Sequence, residues 1–532
     1  MLKKAKAYIT SLPSDLPASL VVFLVALPLC LGIALGSNAP LFSGIIGGIV
    51  GGIIVGLLSG SQLSVSGPAA GLTAVVVVAI GKLPAFEAFL LAVLLAGVFQ
   101  VMLGFIKAGV IGDYIPSSVI KGMLAAIGVI LIMKQLPHLV GYNKDYEGDE
   151  TFLQGDRENT FSGITHSFRH LVPLALLIGI AGIGIQLLWD KVLVKKARFF
   201  KLVPAPLVVV LTGILINLWA IAAFPGWAIG KTHLVNIPVA QSVAEFGSFF
   251  RFAGFSYITH AQVWTTAITI AIIASLETLL NIEAADDLDP YQRVTPTNRE
   301  LKAQGIGNIV SGLLGGLPVT SVVVRTSVNI NSGGKTKLAS IFHGILLLLS
   351  VAFIPKLLNY IPLSALASVL IYTGYKLANP SLFKLFYRKG WDQFMPFVIT
   401  VLAILLTDLL VGIIIGCIVG LFFVMRSNFR SAVLVVHDGS HYLFRLRKDV
   451  SFLNKPIIKN KLEKVPENAS VLIDATRADF IDKDVIEVIE DFMKHAPLKN
   501  IRVELKRSGY KEQGFSIQPF GGLKTEKPGL TH

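Results

Sequence analysis

Ser64-Val65-Ser66-Gly67-Pro68-Ala69-Ala70-Gly71 interrupts one apolar run, and Gly315-Gly316-Leu317-Pro318 interrupts the chain again just before Val319 to Thr326. Proline has no N–H to donate and glycine costs a helix about 1 kcal/mol, so neither stretch continues an ordinary helix. Apolar runs of bilayer length fall near 17–35, 41–58, 66–81, 86–106, 115–133, 171–189 and 203–224. A second set falls near 262–282, 303–316, 320–332, 338–355, 361–375, 394–407 and 411–425. Each interrupted run is the third of its seven. Short, Gly/Pro-broken spans at matching places in two halves point to an inverted-repeat transporter with a site near the bilayer midplane. Kinked but purely structural helices are the alternative.

Composition agrees with a membrane body. The 532 residues are 53% hydrophobic and 15% charged, which excludes an ordinary soluble enzyme. The first 431 residues hold 30 Lys/Arg and 19 Asp/Glu, whereas the last 101 hold 17 and 14, so a soluble tail follows the apolar part. A net charge of +14, carried mostly by the membrane body, reports orientation and lipid contact rather than nucleic acid. If every run spans, one side carries 20 basic residues, Lys3, Lys4, Lys6, Lys195 and Lys196 among them, and the other carries 7 beside an acidic loop from Asp145 to Glu158. The positive-inside rule then places both termini in the cytoplasm. Residues 1–16 read as a cytoplasmic segment, and the run opened by Pro17 reads as a retained span, not a signal peptide. Cys30 and Cys417 each lie alone in an apolar run and suggest packing.

Arg325 is the sharpest single feature. A guanidinium inside an apolar span costs several kcal/mol, so it is a functional hypothesis by default. Helix starts at the third and tenth runs would face one another and, with Arg325, form an anion site. Glu277 and Asn281 share a helix face four residues apart, and fit a counter-ion for Arg325, a proton carrier or a Na+ site. Asp286, Asp287 and Asp289 read as a solvated loop, Lys121 as a snorkelling side chain and His343 as a core histidine. No phosphate-binding loop is present, so transport is not directly ATP-driven.

The tail alternates differently. Ala432 to Val436, Tyr442 to Lys448, Ser470 to Asp474 and Asn500 to Lys506 read as strands, and Leu453 to Lys464 and Asp482 to Lys494 as helices. This predicts a small α/β domain over 432–506 and a flexible tail over 507–532.

Several motifs, in order, resemble the SulP family of anion transporters, bacterial relatives of the SLC26 exchangers. They are Ser64 to Gly71, Glu277-Thr278-Leu279-Leu280, Asn298-Arg299-Glu300-Leu301 with Gly305-Ile306-Gly307-Asn308-Ile309, Gly315 to Thr320, and Arg325-Thr326-Ser327-Val328-Asn329. The resemblance implies an all-α polytopic membrane protein of about 14 segments in a UraA-like seven-plus-seven inverted repeat over 17–425, with halves near 17–224 and 262–425. It implies an anion held by Ser66, Gly67, Pro68, Ala69 and Ala70 from segment three and by Val324, Arg325 and Thr326 from segment ten.

Glu277 takes the family's acidic place in segment eight, but where the bicarbonate branch carries Asp and Thr for Na+, this chain has Glu277 and Asn281. Na+ or H+ therefore stays open as the coupling ion. The apolar Leu27 to Ile33 departs from the polar pattern of the plant-type sulfate transporters and favours a small, singly charged anion such as bicarbonate. The tail resembles a shortened STAS domain, with Asp474-Ala475-Thr476 where that family has a strand-end Asp and a phosphorylatable Ser/Thr; helix capping by Thr476 is the plainer reading.

These readings describe a non-enzymatic secondary anion transporter of the cytoplasmic membrane, homodimeric by resemblance, with lipid and a small anion as partners and no cofactor beyond a coupling ion. A channel-like protein, a nucleobase carrier on the same fold and a non-transporting anion sensor are the alternatives.

Overall fold

The computed structural model describes residues 2–144, 152, 159–196, 200, 203–431 and 433–507. The acidic loop (Asp145, Glu147, Asp149, Glu150, Asp156, Glu158), Arg157, Arg198, Lys201 and everything beyond Arg507 lie outside the described residues. The chain divides into two compact units at Gly420 and Leu421.

The first unit is helical. Seven helices are long and apolar enough to cross a membrane: Tyr8–Gly36, Leu41–Leu58, Phe86–Phe105, Ser117–Leu139, Pro173–Lys196, Ala205–Ala223 and Ala261–Leu288. Shorter apolar helices run Ala70–Lys82, Leu338–Phe353, Trp391–Leu406 and Leu409–Met425. The first helix begins at Leu2, well before the predicted start at Pro17. A reason lies in Asp15, which is fully buried and accepts from the N–H groups of Lys335 (2.7 Å) and Thr336 (3.0 Å), tying the polar end of this helix to the chain ahead of Leu338–Phe353.

The two interrupted runs pair with each other. Strand β1 (Ser66–Pro68) lies antiparallel to β2 (Val319–Ser321), with Ser66 opposite Ser321 and Pro68 opposite Val319. After β1 the chain passes through a 3-10 turn, Ala70–Leu72, into a helix, Thr73–Lys82. After β2 it enters the helix Val323–Asn331. Gly315 makes the second approach: at φ +93° it closes the Thr297–Leu314 helix in the left-handed region, and a Cβ there would strike the Arg251 backbone.

The Leu41–Val50 helix presents Gly44 and Gly48 to the first helix, where a Cβ would meet the Cys30 carbonyl and thiol. Small residues four apart let these backbones approach closely.

The second unit holds a four-stranded sheet in the order β3 (Val433–Asp438), β4 (His441–Val450), β5 (Ser470–Ile481), β6 (Arg502–Lys506). The β3–β4 pair is antiparallel and the other two are parallel. Helices Lys455–Glu463 and Lys483–His495 fill the crossovers, and Ile458, Leu462, Val485, Ile486 and Ile489 bury against the strands. Strand β5 runs past its predicted end, so Asp474 and Thr476 sit mid-strand and Thr476 caps no helix. Asp482 caps the next helix instead, accepting from the Asp484 N–H at 3.0 Å.

Candidate functional site

The crossing of β1 and β2 gathers most of the expected site. Ser66, Gly67, Pro68 and Ala69 are buried and Ala70 is partly buried. On the other side Val324 is 4% exposed, Thr326 1% and Arg325 0%. Cross-links tie the two runs together: Val65 N–H donates to Thr326 Oγ1 at 3.0 Å and Val322 N–H to the Val65 carbonyl at 3.0 Å.

Arg325 is the largest wholly buried side chain among the described residues. Its Nη2 donates to the Pro68 carbonyl at 3.4 Å, while Nε and Nη1 have no hydrogen-bond partner. The guanidinium therefore sits under the crossing, against Gly67, where any Cβ would overlap Nη1. The hydrogen bond of Arg325 goes to the Pro68 carbonyl and not to Glu277. A buried guanidinium with donors left over has hydrogen bonds to give to an acceptor.

Glu277 and Asn281 come together on the Ala261–Leu288 helix, both buried. They line a small cavity of about 20 Å³ with Gly71, Leu280, Leu409 and Ile413. A Cβ at Gly71 would lie 3.0 Å from Glu277 Oε1, so the carboxyl rests against the start of the broken segment. Asn281 Nδ2 donates to the Ser321 carbonyl at 2.5 Å and leaves its own Oδ1 without a hydrogen-bond partner. A carboxyl and an uncommitted amide oxygen on one face suit a proton or a hard monovalent cation equally. Among the described residues no group of three or more His, Cys, Asp or Glu is arranged to hold a metal ion.

Two larger cavities lie elsewhere in the first unit. One, of about 250 Å³, is lined by Pro17, Val21, Asp190, Asn331, Tyr372 and Lys376. The other, of about 260 Å³, is lined by Pro28, Leu31, His138, Asn143, Thr232 and Leu363. Pro17 and Pro28 lie on the same helix, roughly 17 Å apart along its axis.

The carboxylates expected in a solvated loop are instead engaged. Asp287 pairs with Lys121, so Lys121 does not simply snorkel. Asp286 accepts from Thr295 Oγ1 at 2.6 Å, and Asp289 is buried and accepts from Arg293 Nε at 2.6 Å. Burial pushes the Asp289 carboxyl up, but Arg293 and the Tyr291 N–H outweigh it and hold the group below the usual carboxylate range. His343 meets its expectation in part: Nδ1 pairs with the Ser340 carbonyl at 2.8 Å, while Nε2 has no hydrogen-bond partner.

In the tail, Thr476 is exposed and donates through Oγ1 to Asp474 Oδ1 at 2.6 Å. Arg445 pairs with Asp474 and Arg447 with Arg477, so β5 carries an extra residue there, a bulge that turns Thr476 outward. Burial raises the Asp474 carboxyl, and the Thr476 hydroxyl and N–H with Arg445 reverse that and hold it low.

The sequence reading missed a polar stripe on the Thr297–Leu314 helix. Glu300, Gln304, Asn308 and Ser311 are wholly buried at helical spacing. Asn308 clamps β2 through Val319, accepting its N–H at 2.6 Å and donating to its carbonyl at 2.9 Å. The available signal was four polar residues at i, i+4, i+8 and i+11 in a span otherwise rich in glycine and aliphatics.

Broken helices meeting over a buried arginine define a class of membrane transporter whose site lies between discontinuous segments. The chain belongs to the sulfate permease family, whose profile matches residues 12–403, and that family comprises membrane anion transporters, not enzymes. It is 27% identical over 395 residues to the putative sulfate transporter YvdB of Bacillus subtilis, a match covering 74% of this chain and 69% of that protein. It is 27% identical over 282 residues to the bicarbonate transporter BicA of Synechocystis sp., covering 53% of this chain and 45% of that protein. The matched region thus spans less than half the length of that relative. Among solved structures, the transmembrane domain of a cyanobacterial BicA superposes with a TM-score of 0.55 at 24% identity, over 75% of this chain and 97% of that one. SLC26A9 superposes with a TM-score of 0.61 at 16% identity, over 92% and 84%. At these identities the likeness speaks to fold.

Proposed function

We propose that this chain moves a small inorganic anion of the bicarbonate or sulfate class across the cytoplasmic membrane by alternating access. The observation that carries the reading is Arg325, wholly buried at the meeting of two broken segments with two donor nitrogens unspent. Similarity to a putative sulfate transporter and to a bicarbonate transporter supports the anion class.

On this reading the membrane part, 17–425, comprises fourteen segments as seven-plus-seven inverted repeats, 17–224 and 262–425, with both termini cytoplasmic and the protein a homodimer. Ser66 to Ala70 and Val324 to Thr326 form the anion site, and Arg325 supplies positive potential from beneath it. The cavities lined by Asp190 and Lys376 and by His138 and Asn143 then serve as vestibules on opposite sides of the membrane. Glu277 and Asn281 hold the coupling ion, Na+ or H+, next to the start of the third segment. Residues 432–506 form a STAS-like cytoplasmic domain in which Thr476, already turned outward, is the regulatory position.

Uptake of radiolabelled bicarbonate and of sulfate into proteoliposomes, with a Na+ gradient, a proton gradient and neither, tests the reading. Na+-driven bicarbonate uptake makes Asn281 a Na+ ligand, and proton-driven uptake makes Glu277 the proton carrier. Binding without counterflow overturns transport and leaves an anion sensor.

A further inference from the structure

The polar stripe on the Thr297–Leu314 helix reaches the proposed anion site at one atom. Glu300 Oε2 accepts from Ser59 Oγ at 2.6 Å and from the Gly60 N–H at 3.1 Å. Its Oε1 accepts from Gln304 Nε2 at 3.2 Å, and the same Nε2 donates to Ser66 Oγ at 2.7 Å. All four side chains in this chain of bonds are 4% exposed or less.

The direction of these bonds is determined by chemistry. A carboxylate accepts and does not donate, so the Gln304 amide must turn its NH2 group toward Glu300. Turning the amide over would set Gln304 Oε1 against a carboxylate oxygen, acceptor to acceptor. With Nε2 held there, its second proton goes to Ser66, whose hydroxyl oxygen is thereby used as an acceptor. The Ser66 proton then remains to be given away, and Gln304 is the only side-chain partner of that hydroxyl among the described residues. Ser64 differs: its hydroxyl pairs with Ser321 Oγ at 2.7 Å, where either atom can donate, so nothing fixes its polarity.

We propose that Glu300 and Gln304 are positioning residues that commit the Ser66 hydroxyl to donating a hydrogen bond to the transported anion. The inference rests on the reading that Ser66 lines the anion site. It assigns the place beside Ser66 to an oxygen that accepts: any oxygen of sulfate fits, whereas bicarbonate must turn its O–H elsewhere. The carboxylate itself never touches the anion. It acts through the amide, which separates a buried negative charge from the site by one full side chain.

Uptake of radiolabelled sulfate and bicarbonate by the full chain in proteoliposomes tests this, with KM and maximal rate measured for S66A, E300Q, Q304M and S66A/E300Q. Loss of one hydrogen bond to a charged ligand raises KM about tenfold. We expect S66A to show that rise, E300Q and Q304M to raise KM several-fold with a smaller fall in maximal rate, and S66A/E300Q to match S66A alone. If E300Q fails to fold, Q304M, neutral for neutral, makes the same comparison against S66A. Wild-type KM in Q304M beside a raised KM in S66A would overturn the positioning role, as would increments that multiply in the double variant. Wild-type KM in S66A would instead overturn the placement of Ser66 in the site.

Discussion

Replacing Arg325 with Met separates a functional buried charge from a structural one, because the two readings give opposite signs of stability change. The side chain is 0% exposed, makes one hydrogen bond at 3.4 Å and leaves two nitrogens unpaired. A charged side chain within a membrane span costs roughly 2.5–3.5 kcal/mol on insertion scales. One long neutral-acceptor bond returns no more than about 1 kcal/mol. R325M keeps much of the volume and removes the charge, so we expect the anion-free protein to gain about 2 kcal/mol. Its anion affinity should fall about 10- to 100-fold, the range for one lost charge-assisted hydrogen bond. Thermal unfolding followed by tryptophan fluorescence in detergent, without bicarbonate or sulfate, reads the first effect; proteoliposome uptake reads the second. An R325M protein that melts below wild type and still takes up anion with unchanged KM would refute the reasoning and make Arg325 a packing element.

Further outcomes follow from other contacts. N308A orphans the Val319 N–H and carbonyl and the Gln100 Oε1 that Asn308 Nδ2 reaches at 2.6 Å, a loss of roughly 3–9 kcal/mol at 1–3 kcal/mol per buried group, and a melting temperature within a degree of wild type would contradict it. E277Q should abolish the dependence of uptake on its driving gradient while exchange persists; identical ion dependence in the variant refutes the coupling role. Asp289 has a lowered folded pKa, so its bridge to Arg293 contributes fully above the unfolded carboxyl value near ~4 and is lost as pH falls through the folded value. The melting-temperature gap between wild type and D289N should therefore be constant from about pH 9 to pH 5 and close only in stronger acid; a gap that closes between pH 7 and 5 would contradict it.

The broken segments were legible because Gly67-Pro68 and Gly315 to Pro318 are local facts: they stop a helix whatever surrounds them. Arg325 was legible for the same reason, since a guanidinium in apolar sequence stands out without any knowledge of its neighbours. Its orientation was not, because whether it meets Glu277 or the Pro68 carbonyl depends on how the Val323–Asn331 helix is rotated against β1. Asp286, Asp287 and Asp289 were misread because their partners Thr295, Lys121 and Arg293 are supplied by tertiary packing and a turn. Thr476 was misplaced because β5 runs on to Ile481: how far a strand extends is a matter of its pairing with β4, and neither strand alone announces it.

The pairing of β1 with β2 has a consequence for motion. Residues 66–68 and 319–321 are separated by some 250 positions of chain, yet they share one buried ladder with Asn308 and Asn281 holding β2 from the side. Neither strand can shift by itself without shearing those buried bonds. On the proposed function, an anion held at this crossing would meet both jaws as one piece, because neither strand moves without its partner.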